Sequence, residues 1–265
     1  MFPRRSFTAA AALLMSACTL EFNTSKIPGG GVRPTVDGSV TKPSDAASAD
    51  ISPLALWWFA DEGMPAVVPD RAKGGFGVDM FQVLSSDVGR GIVEQGVWNS
   101  DRGVFRSDPG PATKLVTAIA KTQAISLEAW AEGNQTFEGK GNVVGCEFFK
   151  ILQTKIGTEA SLDVQNGSQN SPVTLLPPFR LRHIVVTYSA VSGIQRLYMD
   201  ADEAHKVDMR ITNDNRTNIV IPMEEIRASL GDNGWVGKLH LAAIYDKELT
   251  PAQIRSLFGL GSKRR

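Results

Sequence analysis

Few side chains in this sequence have the type and spacing to do chemistry. The three histidines, His183, His205 and His240, stand far apart and lack the paired spacing that metal sites use. The acidic cluster Asp200, Asp202 and Glu203 begins where a strand should end, which reads as a solvated turn. There is no Gly-x-Ser-x-Gly nucleophile elbow and no phosphate-cradling Gly-Lys-Ser/Thr loop. Of the two cysteines, Cys146 lies between Val144 and Phe148 and reads as a small buried hydrophobe, inert in apolar surroundings. Cys18 is the one with chemistry to explain.

Residues 1–17 carry a positive n-region (Arg4, Arg5), an apolar run from Ala9 to Met15, and Ser16-Ala17 before Cys18. That is the tripartite pattern of an export signal, and the apolar run is far shorter than the roughly 20 residues a spanning helix needs. Small residues before a cysteine are similar to the bacterial lipobox, in which the cysteine is acylated. Met15 stands where Leu is usual, and an ordinary signal peptide cleaved nearby is the alternative. Lipidation at Cys18 would give a stable anchor, because two or more acyl chains hold where one does not. The expectation is an exported protein, lipid-anchored to the outer membrane or cell surface.

Residues 18–52 are rich in Gly, Pro, Ser, Thr, Ala and Asp, include Gly29-Gly30-Gly31, and offer little apolar surface to bury. They read as a flexible tether. Residues 53–260 have the composition of a folded domain, and 261–265 form a basic tail, read as a solvated terminus. Over the whole chain 28 Lys and Arg balance 28 Asp and Glu, and loss of Arg4 and Arg5 with the signal would leave a net of −2. No basic excess recommends a nucleic-acid partner.

The elements that must position any site are mostly strands. Short β-favouring runs at 54–60, 80–84, 104–106, 125–131, 142–148, 150–156, 161–165, 182–189, 194–200, 218–222 and 236–245 alternate with Gly, Asn, Asp and Pro clusters. In 125–131, Ile125, Leu127 and Ala129 share one face and Ser126, Glu128 and Trp130 the other, as in a half-buried strand. In 182–189, Ile184, Val185 and Val186 are apolar on both faces, which predicts a central strand. Two short helices interrupt the pattern. The first, at 112–121, carries Leu115, Val116 and Ile119 on one side. The second starts with Thr250 as N-cap, Pro251 at N1 and Gln253 at N3, carries Ile254, Leu257 and Phe258 as its apolar stripe, and should stop at Gly259.

Four stretches, taken in order, carry a family resemblance. They are Leu56-Trp57-Trp58-Phe59-Ala60-Asp61-Glu62-Gly63 with Pro69-Asp70-Arg71; Gly110-Pro111-Ala112 leading to Ser126-Leu127-Glu128-Ala129-Trp130; His183-Ile184-Val185-Val186-Thr187-Tyr188 with Gln195-Arg196-Leu197-Tyr198-Met199-Asp200; and Trp235-Val236-Gly237 running to Leu249. Together they resemble the concanavalin A-like, laminin-G-like jelly-roll family. The resemblance implies an all-β sandwich of two antiparallel sheets with two short helices, rim loops, and a concave face that relatives use for glycans or protein ligands. Trp57, Trp58, Phe59, Trp130 and Trp235 would then be core fillers, and Gly237 would permit a close backbone approach.

In relatives an Asp of the last strand could help hold a structural calcium, and Asp61, Asp70 and Asp246 are the candidates for such a site here. His240-Leu241 replaces the Asp-Glu that many relatives carry in the last strand, and a histidine is a poor ligand for a hard cation. Many relatives also have an Asp-Gly turn where this chain reads Asp200-Ala201, so that hairpin is expected to turn differently. Enzymes of this fold that cleave β-glucans place carboxylates as Glu-x-Asp-x-x-Glu on one strand, and no such run exists. The chain therefore reads as a non-enzymatic, surface-anchored binding module whose partner is a glycan or an envelope protein. Its polar loops after Phe137, Gln165 and Ile211 are suitable but not diagnostic. The alternatives are a structural or assembly role in the cell envelope and a divergent polysaccharide-active enzyme.

Overall fold

The computed structural model describes residues 51–59, 63–83, 90–133, 139–146, 149–156, 159–166, 169–175, 180–208, 228–231 and 235–263. Outside them lie the signal segment, Cys18, nearly all of the tether, Asp61, the strand expected at 218–222 and the loop after Ile211. Ser44–Arg265 form a compact unit by themselves.

In chain order the strands are β1 (Ala55–Trp58), β2 (Val67–Val68), β3 (Met80–Gln82), β4 (Arg90–Glu94), β5 (Val97–Asp101), β6 (Phe105–Ser107), β7 (Ala124–Gly133), β8 (Gly139–Cys146), β9 (Phe149–Ile156), β10 (Glu159–Asn166), β11 (Gln169–Leu175), β12 (Arg182–Ser189), β13 (Ile194–Met199), β14 (Asp202–Asp208), β15 (Ala228–Leu230) and β16 (Val236–Tyr245). Helix α1 (Pro109–Thr122) lies between β6 and β7, and α2 (Pro251–Leu260) follows β16. The first sheet runs β14-β13-β12-β7-β16-β5-β4, with β1 also paired to β16; the second runs β11-β10-β9-β8-β15-β6-β3-β2. Every described pairing is antiparallel, giving the expected all-β sandwich of two antiparallel sheets.

The inter-sheet core follows from strand alternation. Ile125, Leu127 and Ala129 of β7 meet Phe149 and Ile151 of β9 in one buried cluster, and Leu115, Val116 and Ile119 of α1 fill part of it. Within it Phe59, Trp98, Phe105 and Trp235 form a chain of rings, with Trp98 edge-on to Phe105 at 5.0 Å. The indole of Trp57 donates to Val78 O at 2.8 Å and that of Trp235 to Gln153 Oε1 at 2.8 Å, so both nitrogens are satisfied inside the sandwich. Gly237 does permit the close approach expected of it. A Cβ there would sit 2.5 Å from the Trp235 ring and 2.7 Å from Glu132 O.

Three local expectations change. The β13–β14 hairpin keeps a two-residue loop with positive φ at both Asp200 (52°) and Ala201 (73°), the geometry an Asp-Gly turn would have adopted. The Asp200 carboxylate holds it, accepting from the His183 amide at 3.1 Å and pairing with Arg182. Helix α2 runs past Gly259 to Leu260, because Gly261, at φ 74°, supplies the terminating conformation. Residues 139–141, expected as loop, open β8 in register with β9.

Candidate functional site

The sandwich has two outer faces, and the sequence treats them differently. On the first sheet, Glu128 and Trp130 of β7, His183 of β12 and Tyr245 of β16 all point away from the inter-sheet core yet are buried. The reason is α2, whose buried residues Ile254 and Leu257 pack with Trp130, Val185, Tyr198, Leu241 and Tyr245 in a second apolar cluster. The approach to α2 is fastened at several points. Ser126 Oγ donates to Lys247 O at 2.6 Å and accepts from Leu249 N at 3.1 Å, and Arg196 pairs with Glu248. The expected capping box of Thr250 and Gln253 then starts the helix.

Beneath α2 sits a carboxylate, an imidazole and a phenol. Glu128 Oε1 is 3.0 Å from His183 Nε2, and the Tyr245 hydroxyl donates to Glu128 Oε2 at 2.6 Å. Trp130 packs on His183 at 4.8 Å and stacks parallel to Phe258 at 5.7 Å. These groups could in principle exchange protons, but Glu128 and His183 are both 0% exposed. A substrate would have to lift α2 to reach them. Their effect in this structure is to bind three strands together under the helix, at the cost of leaving Trp130 Nε1, His183 Nδ1 and Thr187 Oγ1 buried without partners. At the cluster's margin burial raises the Tyr198 phenol above its ordinary pKa, with the nearby Glu203 charge adding to the effect.

The outer face of the second sheet is organised by register. One row crosses it from Val67 through Phe81, Arg106, Ser229 and Gly145 to Lys150. Each member alternates with an inward core residue: Val68, Met80, Phe105, Leu230, Val144 and Ile151. A register shift between Asn142 and Val144 turns both Val143 and Val144 inward, so that Asn142 lies on the outer side with Ser229. Its amide donates to Ser229 Oγ at 2.8 Å, while Asn142 Oδ1 is buried without a partner. Gly145 is bare because the β9 backbone passes close to it: a Cβ there would lie 2.6 Å from Phe149 O and 2.7 Å from Lys150 Cγ. Val67 and Phe81 are 36% and 38% exposed. From Arg106 to Lys150 the row spans three strand spacings, about 14 Å.

The residues singled out from sequence are placed as follows. Asp70 is a structural pin: its Oδ1 accepts from Leu56 N (3.0 Å) and Ala72 N (2.9 Å), and its Oδ2 from Val78 N (3.0 Å). Asp246 is half-buried just after β16. Among the described residues no group of three or more His, Cys, Asp or Glu comes together that could hold a metal ion. Cys146 is fully buried in the inter-sheet core, as expected. Trp130, expected as a sandwich filler, instead faces α2, since it lies one residue out of step with the inward positions of β7. Glu128 and Tyr245 were not anticipated as partners. The available signal was the apolar stripe of the terminal helix, which requires a sheet face to cover.

No curated protein matches this chain. Among solved structures, the binding domain of botulinum neurotoxin DC in complex with SialylT aligns at TM-score 0.53 and 10% identity, over 79% of this chain and 51% of that one. The same toxin domain in complex with rat synaptotagmin II aligns at 0.52 and 9%, over 78% and 51%. A Trypanosoma rangeli sialidase complex aligns at 0.51 and 14%, over 87% of this chain but 36% of the sialidase. At these identities the likeness is one of fold, and this chain spans about half or less of each of those chains. A family model described as the concanavalin A-like lectin/glucanases superfamily matches residues 110–255, from α1 into α2 and more than half of the sequence. The two antiparallel sheets and two helices agree with this match: the chain belongs to the concanavalin A-like lectin/glucanases superfamily.

Proposed function

We propose that this protein is a non-enzymatic binding module for a carbohydrate or protein partner, held at the cell envelope by acylation of Cys18. The observation that carries the reading is the asymmetry of the two outer faces. Glu128, His183 and Tyr245 are sealed under α2, whereas the second sheet has an exposed apolar end at Val67 and Phe81 beside the half-buried Arg106; further along the row Ser229 and Gly145 are buried. An aromatic ring beside hydrogen-bonding groups suits a sugar, whose ring faces are apolar and whose edges are hydroxyls. The toxin binding domains that share this fold were solved with SialylT and with synaptotagmin II, which supports a ligand of either class.

The test is a glycan-array and polysaccharide pull-down screen of residues 44–265, run with calcium and with chelator. Saturable binding that Phe81→Ala and Arg106→Ala each weaken at least tenfold is expected. Binding that survives both substitutions would move the site elsewhere, and loss of binding under chelator would bring calcium into it. No binding to any glycan leaves the protein-partner half of the proposal, which pull-down against envelope proteins addresses.

A further inference from the structure

We infer that Trp58 and Arg71 form a binding site for the carboxylate of an acidic saccharide, on the outer face of the first sheet. The inference rests on the carbohydrate half of the reading above but places a contact away from the second-sheet row. Trp58 belongs to a run expected to fill the core, and the structure corrects that expectation. Strand β1 alternates, so Ala55 and Trp57 enter the inter-sheet core while Leu56 and Trp58 face outward, Leu56 against the α2 cluster and Trp58 opposite Leu241. Trp58 is half-buried, and the exposed Arg71 holds its guanidinium carbon over the indole, 5.4 Å from the ring centroid.

Both partners are fixed from below. Leu56 O accepts from Arg71 N at 2.7 Å and Leu56 N donates to Asp70 Oδ1 at 3.0 Å, which lays residues 70 and 71 along β1. Asp70 also accepts from the amides of Ala72 and Val78, and its own N–H donates to Asp79 Oδ1 at 2.8 Å. The two acids of this loop are therefore engaged by backbone amides. Arg182 and Arg196 pair with Asp200 and Glu248, but among the described residues no acid pairs with Arg71 and no acceptor takes the Trp58 indole N–H. The result is a pre-oriented surface of donors without an acceptor. A guanidinium stacked on a ring keeps its planar fork of N–H groups for a carboxylate, which it binds bidentately. A uronic acid ring carries that carboxylate and hydroxyl acceptors at fixed separation, so it meets two fixed donors with little freedom to lose. An acidic peptide side chain hangs on rotatable bonds and loses more.

The probe is a short oligogalacturonate titrated into isotope-labelled residues 44–265 and followed by NMR at the Trp58 indole N–H, a resonance that Trp58→Phe identifies by its disappearance. The expected result is a saturable shift of that resonance. The dissociation constant should rise at least about tenfold in Arg71→Gln, at an exposed position where folding is not at stake, as loss of a bidentate charged pair requires. It should rise severalfold in Arg71→Lys, because an ammonium keeps the charge without the planar fork. The fully methyl-esterified oligomer, which keeps the sugar and loses the charge, should give no shift. Phe81→Ala and Arg106→Ala should leave the response unchanged. No saturable shift, an unchanged constant in Arg71→Gln, equal binding of the ester, or polyglutamate binding as tightly as the uronate would each overturn the inference. A uronate response abolished by Phe81→Ala and untouched by Arg71→Gln would overturn it while upholding the carbohydrate reading of the second sheet.

Discussion

Tyr245→Phe removes one oxygen from the cluster under α2 and nothing else. The hydroxyl is fully buried and donates to Glu128 Oε2 at 2.6 Å, so the substitution leaves a carboxylate oxygen short of a donor without opening a sizeable cavity. Hydrogen bonds to charged groups contribute about 1.5–3 kcal/mol, which sets the expected loss near 2 kcal/mol. For a domain of this size that corresponds to a Tm decrease of about 4–8 °C. The assay is urea and thermal unfolding of residues 44–265, repeated in a Glu128→Gln background. There the acceptor is a neutral amide oxygen, and the cost of Tyr245→Phe should halve to about 1 kcal/mol. A loss below about 0.5 kcal/mol, or an unchanged loss in the Gln background, would refute the assignment of Glu128 as the partner that makes this hydroxyl matter.

Gly91→Ala should destabilise by about 3 kcal/mol or prevent folding, because the added methyl would collide with the buried Trp98 indole; urea titration reads this directly. Thr250→Ala removes half of the α2 capping box and should cost about 1 kcal/mol, with hydrogen exchange accelerated first in the helix. Asp70→Ala leaves the amides of Leu56, Ala72 and Val78 without their acceptor and should cost at least about 3 kcal/mol, whereas chelator should leave the wild-type Tm unchanged if those amides are the whole role of the carboxylate. Burial, together with Lys238 and Lys263, lowers His240 below the ordinary value of 6.5 against the opposing pull of Glu132. The unfolded chain therefore binds a proton that the folded one resists, so this contribution to stability is complete above about pH 6.5 and is lost as pH falls below it. Denaturant midpoints measured at about pH 7.5 and 5.5 should differ more in wild type than in His240→Gln.

Much of the architecture was legible in the chain because alternation and punctuation are local. The period-two pattern in β7, the two-sided apolar run in β12, and the Thr250-Pro251-Gln253 helix start depend on residues within a few positions of one another. The short strands β2, β4, β5, β11, β14 and β15 are not marked by local pattern, since two to seven residues with mixed composition become strands only when a neighbouring edge supplies their hydrogen bonds. The turn at Asp200-Ala201 was misjudged for a related reason: an alanine at positive φ is tolerated because the contacts of Asp200 with Arg182 and the His183 amide fix the loop.

By itself the sequence determined the sandwich, the inward faces of its long strands, the position and capping of the terminal helix, and the burial of Cys146. Only the tertiary structure decided what the outward faces do. Glu128, His183 and Tyr245 lie on three strands, with 55 and 117 residues separating the two partners from Glu128, and the packing of α2 over that face helps turn them from surface residues into a sealed cluster. The row from Val67 to Lys150 likewise draws on six strands whose order in the sheet, β2-β3-β6-β15-β8-β9, departs from their order in the chain. Periodicity reports which way a side chain points from its own strand. Which strand stands beside it, and whether a helix covers the pair, is settled by pairings and packing between distant segments.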